Sequence, residues 1–249
     1  MKDKCCFFTI ADDRYFYPVG TMILINSFKK FHPDIDLVVF RQDMIDKVFA
    51  EKGVNFYNCR PTFAKLLVPH YDRVVGIDAD SIILGSLDEI INGDYEVGAP
   101  TNQNDYENMS LENITEEMFL QAGLVASSNP KFWDIWEINN KNAMKYQAQE
   151  NSVLNLIWYN DPVVGKMKKV IFDKDKNYYG CKSLNRESEF YLDGNKVMCR
   201  GEQVFIYHSA KGGANMPKFQ FDKMGFPPEV TQFMQGLGYY GTTFRLGAI

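Results

Sequence analysis

Short apolar runs alternate with amphipathic stretches through the first half of the chain. Cys5 to Ile10 is a compact apolar run closed by Asp12-Asp13, which predicts a buried β-strand. Met22, Ile23, Ile25 and Phe28 then recur at helical spacing between Gly20 and Phe31, ahead of the helix-stopping Pro33. Ile35 to Phe40 is again continuous and apolar. Asp43 to Lys52 reads as a helix, Val54 to Tyr57 as extended, Thr62 to Leu67 as a short helix before Pro69, and Arg73 to Ile77 as a strand. This alternation predicts an α/β fold with a Rossmann-like, mostly parallel central sheet flanked by helices.

The second half is less regular. Ser86-Leu-Asp-Glu89 has the form of a capping box opening a helix. Leu120 to Ser127 predicts a strand, Pro130 to Asn139 a proline-initiated helix and Glu150 to Trp158 another helix. Short strands are expected at Val170 to Phe172 and Val204 to Tyr207, ahead of Lys211-Gly-Gly213. Asn102 to Thr115, rich in Asn, Asp and Glu, reads as a long surface loop. From Gly225 onward the many Gly, Pro and aromatic residues predict only a small irregular C-terminal lobe.

A length of 249 residues suits one substantial core, so a single domain is expected. The formal charge of −5, with no long Lys/Arg run, argues against nucleic acid or an anionic membrane as the main partner. No apolar run approaches the length of a membrane span, and MKDKCCFFTIADD fits a first strand better than a secretory signal. The five cysteines are odd in number and lack Cys-x-x-Cys spacing, which suits thiols in a reducing cytoplasm. Oligomeric state is not legible.

Asp78-Ala79-Asp80 is the candidate chemical centre. It follows the apolar Val74 to Ile77, and in open α/β sheets ligands bind beyond the carboxyl ends of the strands. Two carboxylates two residues apart in extended backbone point to one side, where both reach a single hard cation. Such an ion bridges phosphates and offsets the charge of a departing nucleoside diphosphate. Asp-x-Asp triplets also cap strand ends and turns, and the triplet alone does not decide between these roles.

The stretch from Pro61-Thr-Phe-Ala-Lys65 through Tyr71 to Ser81 and on to Leu84-Gly-Ser-Leu-Asp-Glu89 resembles the core block of glycosyltransferase family 8, the glycogenin and galactosyltransferase group. Weaker blocks stand in the family's order around it: Thr9-Ile-Ala11 with Tyr15, Gly20 and Ser27; Gln121-Ala-Gly123; and Glu150-Asn-Ser-Val-Leu-Asn155. The resemblance implies a GT-A type domain over residues 1–249, with a nucleotide-binding half (1–100), a donor-sugar and acceptor half (101–215) and a C-terminal extension (216–249). It implies a metal-dependent retaining transferase that moves a hexose or similar sugar from a UDP-sugar to a hydroxyl of a glycan or glycoprotein.

The same resemblance assigns the residues. Asp78, Asp80 and His208 would hold the metal, and the imidazole suits Mn2+ better than Mg2+. Thr9, Ala11 and Tyr15 would meet the nucleobase and ribose, with Tyr17 a rival for stacking on the base. Asp78 and Ala79 would stand near the ribose, and Lys65 would meet a phosphate or the donor sugar. Gly123 and Gln121 would border that sugar, with Glu150 and Asn151 at the reaction centre. Lys211 or Lys218, with the amides of Gly212 and Gly213, would close over the diphosphate.

The chain departs from the family pattern in four places. Gln121 and Glu150-Asn151 stand where the family has Asn and Asp-Gln, the first loop carries an extra residue, and the gap after His208 is stretched with its Lys-Pro order reversed. Two rival readings remain open. A haloacid-dehalogenase-type phosphatase also carries Asp-x-Asp after an apolar strand, although there it ends the first strand and a later acidic pair follows. The other rival is a non-catalytic relic that binds a sugar nucleotide.

Overall fold

The computed structural model describes residues 3–12, 19–55, 58–101, 119–143, 150–172, 177–178, 181–182, 187–208 and 225–238. Its first half runs β1 (Asp3–Ile10), α1 (Val19–Phe31), β2 (Asp36–Phe40), α2 (Gln42–Lys52), α3 (Arg60–Leu67), β3 (Tyr71–Ile77), β4 (Ser81–Ile83), α4 (Asp88–Asn92) and β5 (Val97–Ala99). There follow β6 (Leu124–Ser127), α5 (Pro130–Ala143), α6 (Glu150–Asn160) and β7 (Lys169–Ile171). The last part contains β8 (Asn177–Tyr178), β9 (Cys181–Lys182), β10 (Phe190–Asp193), β11 (Lys196–Cys199), β12 (Glu202–Val204), β13 (Ile206–His208) and α7 (Pro228–Gly238).

Six strands make the central sheet in the order β2-β1-β3-β6-β5-β7. β1 pairs in parallel with β2 and β3, and β7 pairs in parallel with β5. β6 alone in this sheet runs against its neighbours β3 and β5. The mostly parallel expectation therefore holds, with one reversed strand at its centre. Alternation along the strands divides the core into two layers. Cys6, Phe8 and Val74 face a cluster that includes Phe63, Trp133, Trp136 and Trp158 from α3, α5 and α6. Cys5, Phe7, Val75 and Ile77 face the opposite cluster with Leu24 and Phe28 of α1 and Ile90 of α4.

Arg73 of β3 explains where α4 stops. Its buried guanidinium donates through Nη1 to the carbonyls of Ile90 and Ile91 at 2.9 and 2.7 Å, and through Nη2 to those of Gly93 and Tyr95 at 2.7 and 3.0 Å. The first two are carbonyls that a short helix leaves open at its end, and the other two belong to the turn that follows it.

Several elements differ from the expectations. Val54 and Asn55 form no strand; Val54 is buried against the α2–α3 side of the core, while 56–57 lie outside the described residues. α4 starts at Asp88 with Leu87 as its cap residue, and Ser86 Oγ accepts only from the Asp88 N–H at 3.3 Å, so no capping box forms. Residues 122–123 form a turn ahead of β6, so the strand starts at Leu124 and not at Leu120. The expected single strand at 204–207 is two strands in different sheets, β12 and β13. Within the tail, α7 docks on α1 through Val230, Met234 and Leu237. The loop 102–115, Tyr15, Tyr17, Lys211, Gly212, Gly213 and Lys218 lie outside the described residues.

Candidate metal and donor site

The carboxyl end of β3 opens into a turn. Ser81 N–H donates to the Asp78 carbonyl at 3.1 Å, so Asp78-Ala79-Asp80 is folded rather than extended, which corrects the geometry expected from the sequence. The turn hands the chain to β4, which pairs antiparallel with β13 in the register His208↔Ser81. That pairing places His208, the last residue of β13, beside the turn. One carboxylate oxygen each from Asp78 and Asp80 and one ring nitrogen of His208 lie within 4.8 Å of one another. His208 Nε2 stands 2.9 Å from Asp80 Oδ1 and 3.2 Å from Asp78 Oδ2. Asp80 and His208 are buried and Asp78 is partly exposed, so the group opens outward at Asp78.

Neighbouring segments are shaped around this turn. The Asp78 N–H donates to the Gly123 carbonyl at 2.8 Å. Two asparagines on one face of α6 hold the 120–123 segment in place. Asn155 accepts from the Leu120 N–H at 2.8 Å and donates to the Leu120 carbonyl at 2.9 Å, while Asn151 Oδ1 accepts from the Ala122 N–H at 2.8 Å. The amide oxygen of Asn151, expected at the reaction centre, is thus engaged by the backbone. Gln121, held in the same segment, brings its side-chain amide Nε2 to 2.6 Å from His208 Nδ1.

A buried cation completes the site, and it is not the one expected. Lys65 lies 2.8 Å from both Asp134 and Glu137, so it ties α3 to α5, and its hydrogen bonds to these acids raise its pKa. Arg60, at the start of α3, instead lays its buried guanidinium against Asp78 Oδ1, with Nε 3.4 Å from the Glu150 carboxylate. Gly76 leaves room for it: a Cβ there would stand 3.0 Å from Phe8 Cζ and 3.1 Å from Arg60 Cδ. Burial pushes the Glu150 carboxyl up to about 7; the Arg60 charge opposes that rise and the Asp78 charge adds to it. Arg60 itself is held above its ordinary range by Glu150 and Asp78, against the cost of burial. The sequence carried a signal for Arg60, because Pro61 belongs in a first helical turn and so sets the helix start at Arg60.

At the adjoining edge, β1 ends beside β3 in the register Phe8↔Gly76. Thr9 and Ala11 are buried there, and Thr9 Oγ1 has no hydrogen-bond partner among the described residues. Ala79 is also buried.

The donor set fits a divalent cation. Two carboxylates and an imidazole converge, and Arg60 lies against Asp78 and Glu150 while Asp80 faces the imidazole, which leaves negative charge for a cation to offset. An α/β sheet with one reversed strand, flanked by helices, with this acidic turn at its carboxyl edge, is the GT-A fold of glycosyltransferases. The galactosyltransferase LgtC, solved with donor and acceptor sugar analogues, superposes with a TM-score of 0.60 over 96% of this chain and 97% of its own at 13% identity. The apo glycosyltransferase GlyE of Streptococcus pneumoniae TIGR4 matches with a TM-score of 0.57, 13% identity, 96% of this chain and 61% of its own. The bifunctional glycosyltransferase WbbM matches with a TM-score of 0.55, 16% identity, 96% of this chain and 50% of its own. No protein-family model and no curated protein sequence matches this chain.

Proposed function

We propose that this protein is a metal-dependent retaining glycosyltransferase that moves a hexose or similar sugar from a UDP-sugar to a hydroxyl of a glycan or glycoprotein. The observation that carries the reading is the convergence of Asp78, Asp80 and His208 at the carboxyl edge of a GT-A sheet. The shared fold of LgtC, whose structure holds donor and acceptor sugar analogues, supports it. A phosphatase of the haloacid-dehalogenase type is disfavoured, because the Asp-x-Asp turn follows the third strand and not the first. A non-catalytic relic is disfavoured by the intact donor set.

In this reading Asp78, Asp80 and His208 hold Mn2+ or a similar ion. When bound, the ion supplies positive charge for the donor diphosphate and for the nucleoside diphosphate as it leaves. Arg60 fixes Asp78 through one oxygen and leaves the other for ligation. Glu150 and Gly123 border the donor sugar, and Asn151 acts by holding the segment that carries Gln121. Thr9, Ala11 and the Ala79 backbone meet the nucleoside, with Tyr15 on the base, and Lys211 with Gly212 closes over the diphosphate. A cytoplasmic location belongs to the same proposal; the thiols of Cys5, Cys6, Cys59 and Cys199 are buried, as a reducing compartment permits.

Calorimetric titration with a panel of UDP- and GDP-sugars, with Mn2+ and again with EDTA, tests it. Tight binding of one UDP-sugar only when the ion is present is the expected result. Binding of no sugar nucleotide under either condition overturns it.

A further inference from the structure

Gln121 stands where the resemblance to the transferases places an asparagine at the donor sugar. Its side chain points elsewhere. The amide is buried and its Nε2 lies 2.6 Å from His208 Nδ1, while His208 Nε2 faces Asp80 Oδ1 at 2.9 Å and Asp78 Oδ2 at 3.2 Å. One imidazole thus spans the gap between a glutamine and the two carboxylates of the Asp-x-Asp turn.

A neutral imidazole carries a single N–H, and the partner of each nitrogen decides where that proton sits. With no ion bound, the arrangement is complete when Nε2–H donates to Asp80 and Nδ1 accepts from the Gln121 NH2. A nitrogen that gives its lone pair to a cation carries no proton, so ligation through Nε2 requires the proton on Nδ1. The group beside Nδ1 must then accept. A glutamine can do both, because half a turn about its last bond exchanges NH2 for Oε1 at the same place. Asparagine, one methylene shorter, would not carry its amide as far from the same backbone position, and the longer residue is what this chain has.

Resting on the proposed metal site, we infer that Gln121 is a positioning residue for His208. Its amide holds the ring in line with Asp78 and Asp80, accepts the Nδ1 proton when an ion is ligated, and thereby sets the affinity of the site. The donor-sugar role expected of position 121 passes to its neighbours. The action of Gln121 is exerted through the ring and not on the substrate.

The chain has three histidines, His32, His70 and His208, so the imidazole 15N spectrum of histidine-labelled protein is simple enough to assign, and His32 and His70 serve as internal controls of folding. The spectrum is recorded without ion and with diamagnetic Cd2+, alongside calorimetric Mn2+ affinity, for wild type, Gln121→Leu and Gln121→Glu. In the wild type, the His208 proton is expected on Nε2 without ion and on Nδ1 with it. Gln121→Leu is expected to weaken Mn2+ binding by roughly ten- to hundredfold, while the His32 and His70 signals stay in place. Gln121→Glu, whose carboxylate can only accept, is expected to put a proton on Nδ1 before any ion is added, with Nε2 still donating to Asp80. Wild-type protein that binds neither ion, with His208 signals unmoved, overturns the metal site and the inference with it. Normal binding by the wild type, with the same affinity and the same His208 pattern in Gln121→Leu, overturns the inference alone.

Discussion

Gly123 and Asp78 are in such close contact that a Cβ on the glycine would stand 2.6 Å from Asp78 Oδ2. The same glycine accepts the Asp78 backbone N–H at 2.8 Å, so the two residues meet through both backbone and side chain. No side chain fits between them unless the carboxylate moves. Gly123→Ala is therefore expected to keep the fold, since the clash falls on the partly exposed end of one side chain, but to weaken Mn2+ binding by about tenfold or more. Calorimetry beside circular dichroism reads both quantities, and unchanged Mn2+ affinity would show that Asp78 is not held to its place by this contact.

Asp78→Ala and Asp80→Ala are each expected to abolish metal-dependent binding of a sugar nucleotide while the protein remains folded. His208→Ala is expected to weaken Mn2+ binding by less than either aspartate change, because a hard cation keeps its two anionic ligands. Full donor affinity in both aspartate variants with EDTA present would remove the two residues from the site. Equal Mn2+ affinity with and without the His208 imidazole would assign that ring to structure.

Arg60 is the buried charge between Asp78 and Glu150. Arg60→Met would leave those carboxylates facing each other without it, at an expected cost of about 3–5 kcal/mol in urea unfolding. Asp78→Asn in the same background should recover part of the loss, because it removes one of the stranded charges. Two changes that simply add would mean that the guanidinium and the carboxylate do not depend on each other.

His32 is buried, and its Nε2 accepts the Leu87 N–H at 2.8 Å on the opposite side of the sheet from α3. Burial holds its pKa below 6.5, against the opposing pull of Asp88. A depressed folded-state pKa means that the neutral ring is preferred in the fold. Its contribution is therefore complete above the unfolded value and is lost as pH falls through the folded one. His32→Gln, which still offers Leu87 an acceptor, should lose less stability than wild type between about pH 7.5 and 5.5. Thermal melts at the two pH values read this directly, and identical losses would show that His32 does not titrate with unfolding.

The apolar runs made β1 and β3 legible because buried parallel strands need near-continuous apolar sequence, and β2, a half-buried edge strand, kept enough of such a run to be read with them. They also led straight to Asp78 and Asp80, which follow the run Val74 to Ile77. The later sheets were harder, because each strand is short and its identity lies in its turns. Gly194-Asn195 joins β10 to β11 with a positive φ of 59° at the glycine, and Arg200-Gly201 joins β11 to β12 with φ of 53° and 84°. Two-residue loops of this kind are hairpin signals that apolar periodicity does not register. Arg60 escaped because the apolar pattern of α3 starts at Phe63, although Pro61 marks the earlier start. The contact from Gln121 to His208 joins positions 87 residues apart, and no local pattern encodes it.

The pairing of β4 with β13 has a consequence for the order in which the molecule assembles. Asp80 and His208 are separated by 128 positions, so their encounter closes one of the longest loops in the chain. The imidazole reaches the aspartates only when β13 pairs with β4, and closing a loop of that length costs entropy that local contacts do not, which favours a late encounter. An ion at this site would then find no pocket on a partly folded chain. It would stabilise the finished molecule by mass action without speeding its formation, and slower unfolding with an unchanged refolding rate would be the kinetic mark of its presence.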